Sequence, residues 1–237
     1  MTRIGTVESL WRYPVKSMRG EELAEAFAGF GGIRGDRLFA FRSAANGEMF
    51  PYFTNRDQRE MLRYRPVLRD ETPPAADVAT PDGTILAIDD PALLAMLRRG
   101  VDEKHQLSLM RSDRALADAY PISLLSVQTA AELSRELGTQ WDKRRFRANI
   151  YLDLDASSGF AENELVGRSI RIGDALVVAV AAKDARCIMI TLDPDTAEKS
   201  PALLKQVAQV HGGTAGVYGN VVAEGAVRKG DIVELLG

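Results

Sequence analysis

The sequence predicts a mostly β protein with some α, built as a β-barrel with helices packed around it. Short strand-like runs between turn signals recur along most of the chain, whereas only a few segments carry helix caps. With 237 residues, 46% of them hydrophobic, the chain can bury a substantial core as one large or two small domains.

The first strand-like run is Arg3–Arg12 and the next is Leu38–Arg42. The Pro- and Ala-rich stretch Thr72–Asp77 reads as a loop inside a domain. After it, Val78–Thr80 and Thr84–Ile88 flank Pro81-Asp82-Gly83, and Asp-Gly supplies the geometry of a hairpin turn. Asp90 followed by Pro91 opens a helix through Leu93, Leu94 and Leu97 that ends near Gly100, since proline at the first helical position loses no hydrogen bond. A further run is Leu107–Arg111. A break around residues 112–118 divides the chain into two β-rich parts, 1–115 and 116–237. In the second part, Ser126 caps a helix through Ala130, Leu133 and Leu137 that Gly138 closes. Ser200-Pro201 opens another, through Leu204 and Val207 to Gly212. The remaining runs are Arg147–Asp153, Ser169–Ile172, Leu176–Ala182, Cys187–Leu192, Val217–Ala223 and Ile232–Leu235.

Composition excludes several function classes. A net charge of −3 and a pI near 5.6 give no general nucleic-acid footprint. One cysteine rules out an internal disulfide and a cysteine-rich zinc or iron–sulfur centre. Residues 1–13 carry no apolar leader core, and no apolar run approaches the roughly 20 residues that span a bilayer. The expectation is a cytoplasmic protein with no membrane or nucleic-acid partner. His105, after the charged Asp102-Glu103-Lys104, is expected to be exposed, and His211 to sit at a helix end; no motif makes either a metal ligand or a triad base. Phosphate-binding glycine loops are absent.

Four clusters remain. Tyr13-Pro14-Val15-Lys16-Ser17 ends the first strand and presents an ammonium and a hydroxyl together, a pair suited to an anion. Gly35-Asp36-Arg37 turns into the second strand. Arg144-Arg145-Phe146-Arg147-Ala148-Asn149-Ile150 opens a strand on which alternation puts Ile150 and Leu152 toward the core and Arg147 beside Asn149 on the other face. Asp184-Ala185-Arg186-Cys187 leads into an apolar run and the turn Asp193-Pro194-Asp195-Thr196. Each has a plainer reading: an exposed strand end, a surface ion pair, a solvated basic edge, an inert buried thiol. Arg186 beside Cys187 favours instead the thiolate that soft metals need.

In this order, the clusters resemble the MOSC superfamily, named for the C-terminal domain of molybdenum cofactor sulfurase. The similarity is to its two-part members, the YcbX-like proteins and the mitochondrial amidoxime reducing component. It runs from about residue 4 to the final Gly230-Asp231-Ile232-Val233. The resemblance implies a MOSC-type barrel core preceded by an N-terminal barrel region, and a molybdenum–molybdopterin cofactor with Cys187 as metal ligand and catalytic residue. It implies that Lys16, Ser17 and Arg37 hold the pterin and its phosphate, that Asp118 contacts the cofactor, and that Arg147, Asn149, Ala185, Arg186 and Asn220 complete the site. The activity implied is reduction of N-hydroxylated or similar N–O compounds, small molecules, with electrons from a separate ferredoxin- or flavoprotein-type reductase, since one cysteine cannot hold a cluster of its own. Departures fall at Ala148, where the family often has proline, at Tyr120, where related reductases carry a small hydroxyl residue, and at Val221, where they carry an aromatic. These keep two other readings open: a non-catalytic carrier of the cofactor or of sulfur on Cys187, and a domain that has lost the cofactor and serves in protein interaction.

Overall fold

The computed structural model describes residues 1–69, 71–156 and 158–237. The first half of the chain forms β1 (Thr2–Arg12), β2 (Glu21–Leu23), β3 (Glu25–Gly29), β4 (Gly32–Ile33), β5 (Phe39–Ser43), β6 (Tyr52–Phe53), β7 (Arg65–Arg69), β8 (Ala75–Ala79) and β9 (Ile85–Ala87), then helix α1 (Pro91–Leu97) and β10 (Leu107–Arg111). The second forms β11 (Ile122–Ser126), α2 (Val127–Glu136), β12 (Ile150–Leu154), β13 (Ser169–Ile172), β14 (Leu176–Ala185), α3 (Ala202–Val210), β15 (Thr214–Ala223), β16 (Gly225–Arg228) and β17 (Ile232–Leu235).

Seven strands close into a barrel in the order β12-β11-β15-β14-β13-β17-β1, with β1 returning to β12. Closure removes the unpaired edges that open sheets must protect. Only β11–β12 is parallel, and helix α2 makes the crossover that a parallel pair requires. The period-2 pattern sorts side chains between two cores. Leu124, Ile150, Leu152, Ile172, Val178 and Val233 fill the barrel, while Leu125 and Tyr151 point outward onto α2, α3, Trp141 and Phe146. A third core, with Val15, Met18, Phe39, Phe41, Phe53, Val78 and Leu93, lies under the strands of the first half. The halves interlock: β1 is a barrel strand, and β16 joins β3 and β4 in a small sheet.

Most of the sequence-derived elements are present. The hairpin β8–β9 closes over Asp82-Gly83 with Thr80 N–H donating to Thr84 O at 2.8 Å. Asp90 and Ser126 cap α1 and α2 through side-chain oxygens, and His211 ends α3. Four expectations need correction. The segment Thr72–Asp77 is loop only to Pro74; β8 starts at Ala75 because Ala76 and Val78 bury on alternate positions against β7. Cys187–Leu192 is not a strand but a 3-10 turn, Ile188–Thr191, whose Thr191 hydroxyl donates back to Ile188 O at 2.7 Å. Arg147 is not in a strand either: it ends the 3-10 turn Lys143–Phe146 with φ 54°, and β12 begins at Ile150. His105 is buried, with Nδ1 2.8 Å from the Ser43 hydroxyl and its ring against Phe53, because the Asp102–Lys104 turn folds it inward.

Candidate functional site

One cavity of ≈ 550 Å³ gathers residues from several places on the fold. The exit of β1 brings Lys16 and Ser17, the turn into β5 brings Arg37, the 3-10 turn before β12 brings Arg145, Phe146 and Arg147, and the end of β14 brings Asp184 to Cys187. Ser17, Arg37 and Arg147 have φ of 68°, 49° and 54°. Among the described residues these are three of only five non-glycine residues in the left-handed region, and all three line this cavity. Such backbone is costly for a side-chain-bearing residue and collects where geometry serves a ligand.

The wall is strongly cationic although the protein as a whole is acidic. Lys16, Arg37, Arg56, Arg145, Arg147 and Arg186 face it against two carboxylates, Asp118 and Asp184. The Lys16 ammonium donates to Leu116 O at 2.9 Å and Asp118 Oδ1 at 2.5 Å and lies 4.8 Å from the Tyr52 ring centre. Burial pushes its pKa down, partly offset by Asp118. For Arg37, burial opposes the charge, but the Asp36 carboxylate outweighs it and the pKa ends above the usual guanidinium value. Arg147 has no such partner. Among the described residues no carboxylate pairs with it; its Nη1 donates to Met18 O at 2.7 Å, and burial lowers its pKa to about 10. A desolvated cation without an acid partner is costly unless an opposite charge reaches it.

Cys187 is exposed on this wall, at the start of the 3-10 turn whose Ile190 N–H donates to its carbonyl at 3.3 Å. It is therefore not an inert core thiol. Arg186, read in the sequence as the cation beside the thiol, spends its guanidinium on other partners. Its Nε donates to Ala215 O at 2.6 Å, its Nη1 to Phe146 O at 2.7 Å, and its Nη2 lies 2.8 Å from Asp184 Oδ2 at an angle poor for a hydrogen bond. The Asp184 carboxyl also accepts from the Ser123 hydroxyl at 2.8 Å, and burial raises its pKa against the pull of Arg186. These bonds tie the Cys187 turn to β11 and β15.

Of the residues singled out in the sequence, Lys16, Ser17, Arg37, Asp118, Arg147, Ala185, Arg186 and Cys187 line the cavity together. Asn149 and Asn220 do not. The Asn149 amide is spent on backbone, donating to Trp11 O at 3.3 Å and accepting from Ser123 N–H at 3.2 Å. Asn220 is an exposed residue of β15. Sequence reading missed Phe50, Thr54, Asn55 and Arg56, which come from the loop around β6 and carry no periodic or motif signal, and Ser123, whose role only the β11–β14 geometry reveals.

The donor set defines what fits: cations and a hydroxyl for a phosphate-like group, and one accessible thiol for a soft metal. Among the described residues no three His, Cys, Asp or Glu side chains cluster to cage a metal, so a metal bound at Cys187 would take its other ligands from a non-protein group.

Comparison with known proteins places this fold in a class. The chain belongs to the MOSC family: the MOSC domain model matches residues 111–234, and the MOSC N-terminal beta barrel domain model matches residues 4–119. It is 25% identical to mitochondrial amidoxime-reducing component 1 of Mus musculus over 291 aligned positions, covering 100% of this chain and 84% of that one. Among solved structures, the YuaD protein of Bacillus subtilis superposes with a TM-score of 0.52 at 16% identity, over 98% of this chain and 95% of that one, and so shares the fold. YiiM of Geobacillus stearothermophilus matches 55% of this chain and 67% of its own, with a TM-score of 0.40 and 19% identity. No helix among the described residues is long and apolar enough to cross a membrane.

Proposed function

We propose that the chain binds a molybdenum–molybdopterin cofactor in this cavity and works as an oxidoreductase on N-hydroxylated or similar N–O compounds. The observation that carries the reading is the exposed Cys187 thiol on a cavity wall whose Arg147 charge has no acid partner. In this reading Cys187 is the protein's ligand to the metal. Lys16, Ser17, Arg37 and Arg147 hold the phosphate end, and Asp118, Ala185 and Arg186 shape the approach. Bound there, the cofactor would supply two-electron reduction of an N–O bond. The chain's own part is to bind and orient. The apolar side chains Phe50, Phe146, Ile188 and Met189 limit water around the substrate, and protons reach the leaving hydroxyl from solvent. Balance requires two electrons and two protons per N–OH reduced to N–H and water. The electrons would come from a separate ferredoxin- or flavoprotein-type donor. The amidoxime-reducing name of the mouse relative supports the substrate class, and membership in the MOSC family supports the cofactor.

The test is benzamidoxime reduction by cofactor-loaded protein, with chemically reduced viologen as electron source, comparing the parent chain with Cys187→Ser. Turnover by the parent and its loss in the variant are expected. Cofactor retained by the parent without turnover would favour a carrier instead, and equal turnover in Cys187→Ser would contradict the ligand assignment.

A further inference from the structure

We infer that Tyr13 is the positioning residue of the cationic wall: its ring carries the guanidiniums of both Arg37 and Arg147, and it holds the Arg147 charge, which lacks an acid partner, at the cavity without neutralising it. The inference rests on reading this cavity as an anion site. The Arg37 and Arg147 guanidinium carbons lie 4.9 Å and 4.2 Å from the Tyr13 ring centre. Two cations this close to one residue repel each other, and each loses water on burial. The Asp36 carboxylate relieves these costs for Arg37 by taking its Nη1; a second carboxylate on Arg147 would occupy its N–H donors and compete with an incoming anion. A neutral ring attracts each cation through its quadrupole and leaves the donors in place. Burial keeps the phenol neutral, with its pKa pushed up to about 12, so no phenolate forms to cancel the charge.

The ring is itself fixed with unusual care. Its hydroxyl donates to Ala148 O at 3.2 Å, next to Arg147. Its backbone N–H donates to Asp36 Oδ1 at 2.8 Å, and its carbonyl accepts from Arg37 N–H at 2.7 Å. Tyr13 thus bonds to both turns whose left-handed residues, Arg37 and Arg147, supply the wall's charge. One edge of the ring lies against Gly20, where a β-carbon would overlap Cδ1 and Cε1. Gly20 does not need left-handed backbone, so its lack of a side chain serves the ring. An ordinary core tyrosine would need none of these attachments to two charged turns, and leucine would replace it at the cost of packing alone.

The experiment is a titration of the full chain, ¹⁵N-labelled at arginine, with inorganic phosphate, followed by NMR of the Arg side-chain Nε–H signals. In the parent protein, phosphate should shift the Arg37 and Arg147 signals, which start displaced by the ring current of Tyr13. Tyr13→Phe keeps the ring and should bind within about twofold of the parent, whereas Tyr13→Leu should bind about tenfold more weakly. Gly20→Ala, which pushes the ring without removing it, should also weaken binding and move the same signals. Reaction of Cys187 with a thiol reagent should stay unchanged throughout, separating a displaced wall from general unfolding. Phosphate affinity in Tyr13→Leu equal to the parent's overturns the inference. If that variant does not fold, unchanged affinity in Gly20→Ala does so. A parent chain that binds no phosphate overturns the anion-site reading itself, so the two failures are told apart.

Discussion

Arg147 sits at the end of a 3-10 turn with its charge desolvated and no carboxylate paired with it among the described residues. That arrangement costs stability and serves binding, so a substitution should separate the two. In Arg147→Met, phosphate binding should fall at least about tenfold while Tm stays level or rises, because a buried unpaired charge is replaced by apolar contact. Calorimetry with phosphate and a thermal melt check both halves. The pH dependence follows with its own sign. Folding lowers the Arg147 pKa to about 10, below the usual guanidinium value, so the folded state disfavours this charge. The penalty is full below pH 10 and fades as pH rises toward the unfolded value, while anion binding fades as pH climbs through 10. Lys16 shares that trend, since burial lowers its pKa too. At this scale the sequence was informative where motifs carry chemistry: Lys16, Ser17, Arg37 and Arg147 are found together as expected. Asn149 was legible as a polar residue but not as one whose amide is consumed by Trp11 and Ser123 backbone. Tyr13, visible in the same pentapeptide as Lys16, gains its role only when the distant Arg147 folds against it.

Among the elements, α2 shows how the barrel is braced. Its cap Ser126 donates to Glu162 Oε2 at 2.7 Å, and Thr129 Oγ1 donates to Glu162 Oε1 at 2.8 Å. Glu162 is fully buried, at the N-terminal end of a helix where negative charge is favourable. Glu162→Ala should destabilise by about 2–3 kcal/mol, because it strands two buried hydroxyls and removes the carboxylate. Urea denaturation should show this as a lower midpoint with unchanged slope. Helix caps and the Asp82-Gly83 hairpin were readable because they depend on local chemistry. The run Ile188-Met189-Ile190-Thr191 was not, since a short apolar stretch has the same composition in a strand and a 3-10 turn. There the tertiary ties of Arg186 to Ala215 and Phe146 decide, by bending the chain away from β14. Breaking that anchor in Arg186→Leu should alter the rate at which a thiol reagent modifies Cys187, and no change would argue against the anchor.

For the whole molecule, interlocking matters most. β1 completes the barrel of the second half and β16 extends a small sheet of the first, so neither sheet system is continuous in sequence. Unfolding should therefore be one transition, with Trp fluorescence and far-UV circular dichroism coincident; two separated transitions would show the halves to be independent. The barrel was legible from recurring strands, but its closure through β1–β12 was not, because pairing residues as far apart as Gly5 and Leu154 leaves no local signal. Closure is also what brings the β1 exit, the β5 turn and the Cys187 turn to one cavity in a chain of net charge −3. The proposed function requires this cavity to hold a molybdenum–pterin group on Cys187. The most direct measurement is molybdenum and pterin per chain, by elemental and fluorescence analysis, on protein made in a host that synthesises the cofactor. About one of each per chain is expected, with molybdenum sharply reduced in Cys187→Ser. A parent chain carrying neither metal nor pterin would contradict the claim.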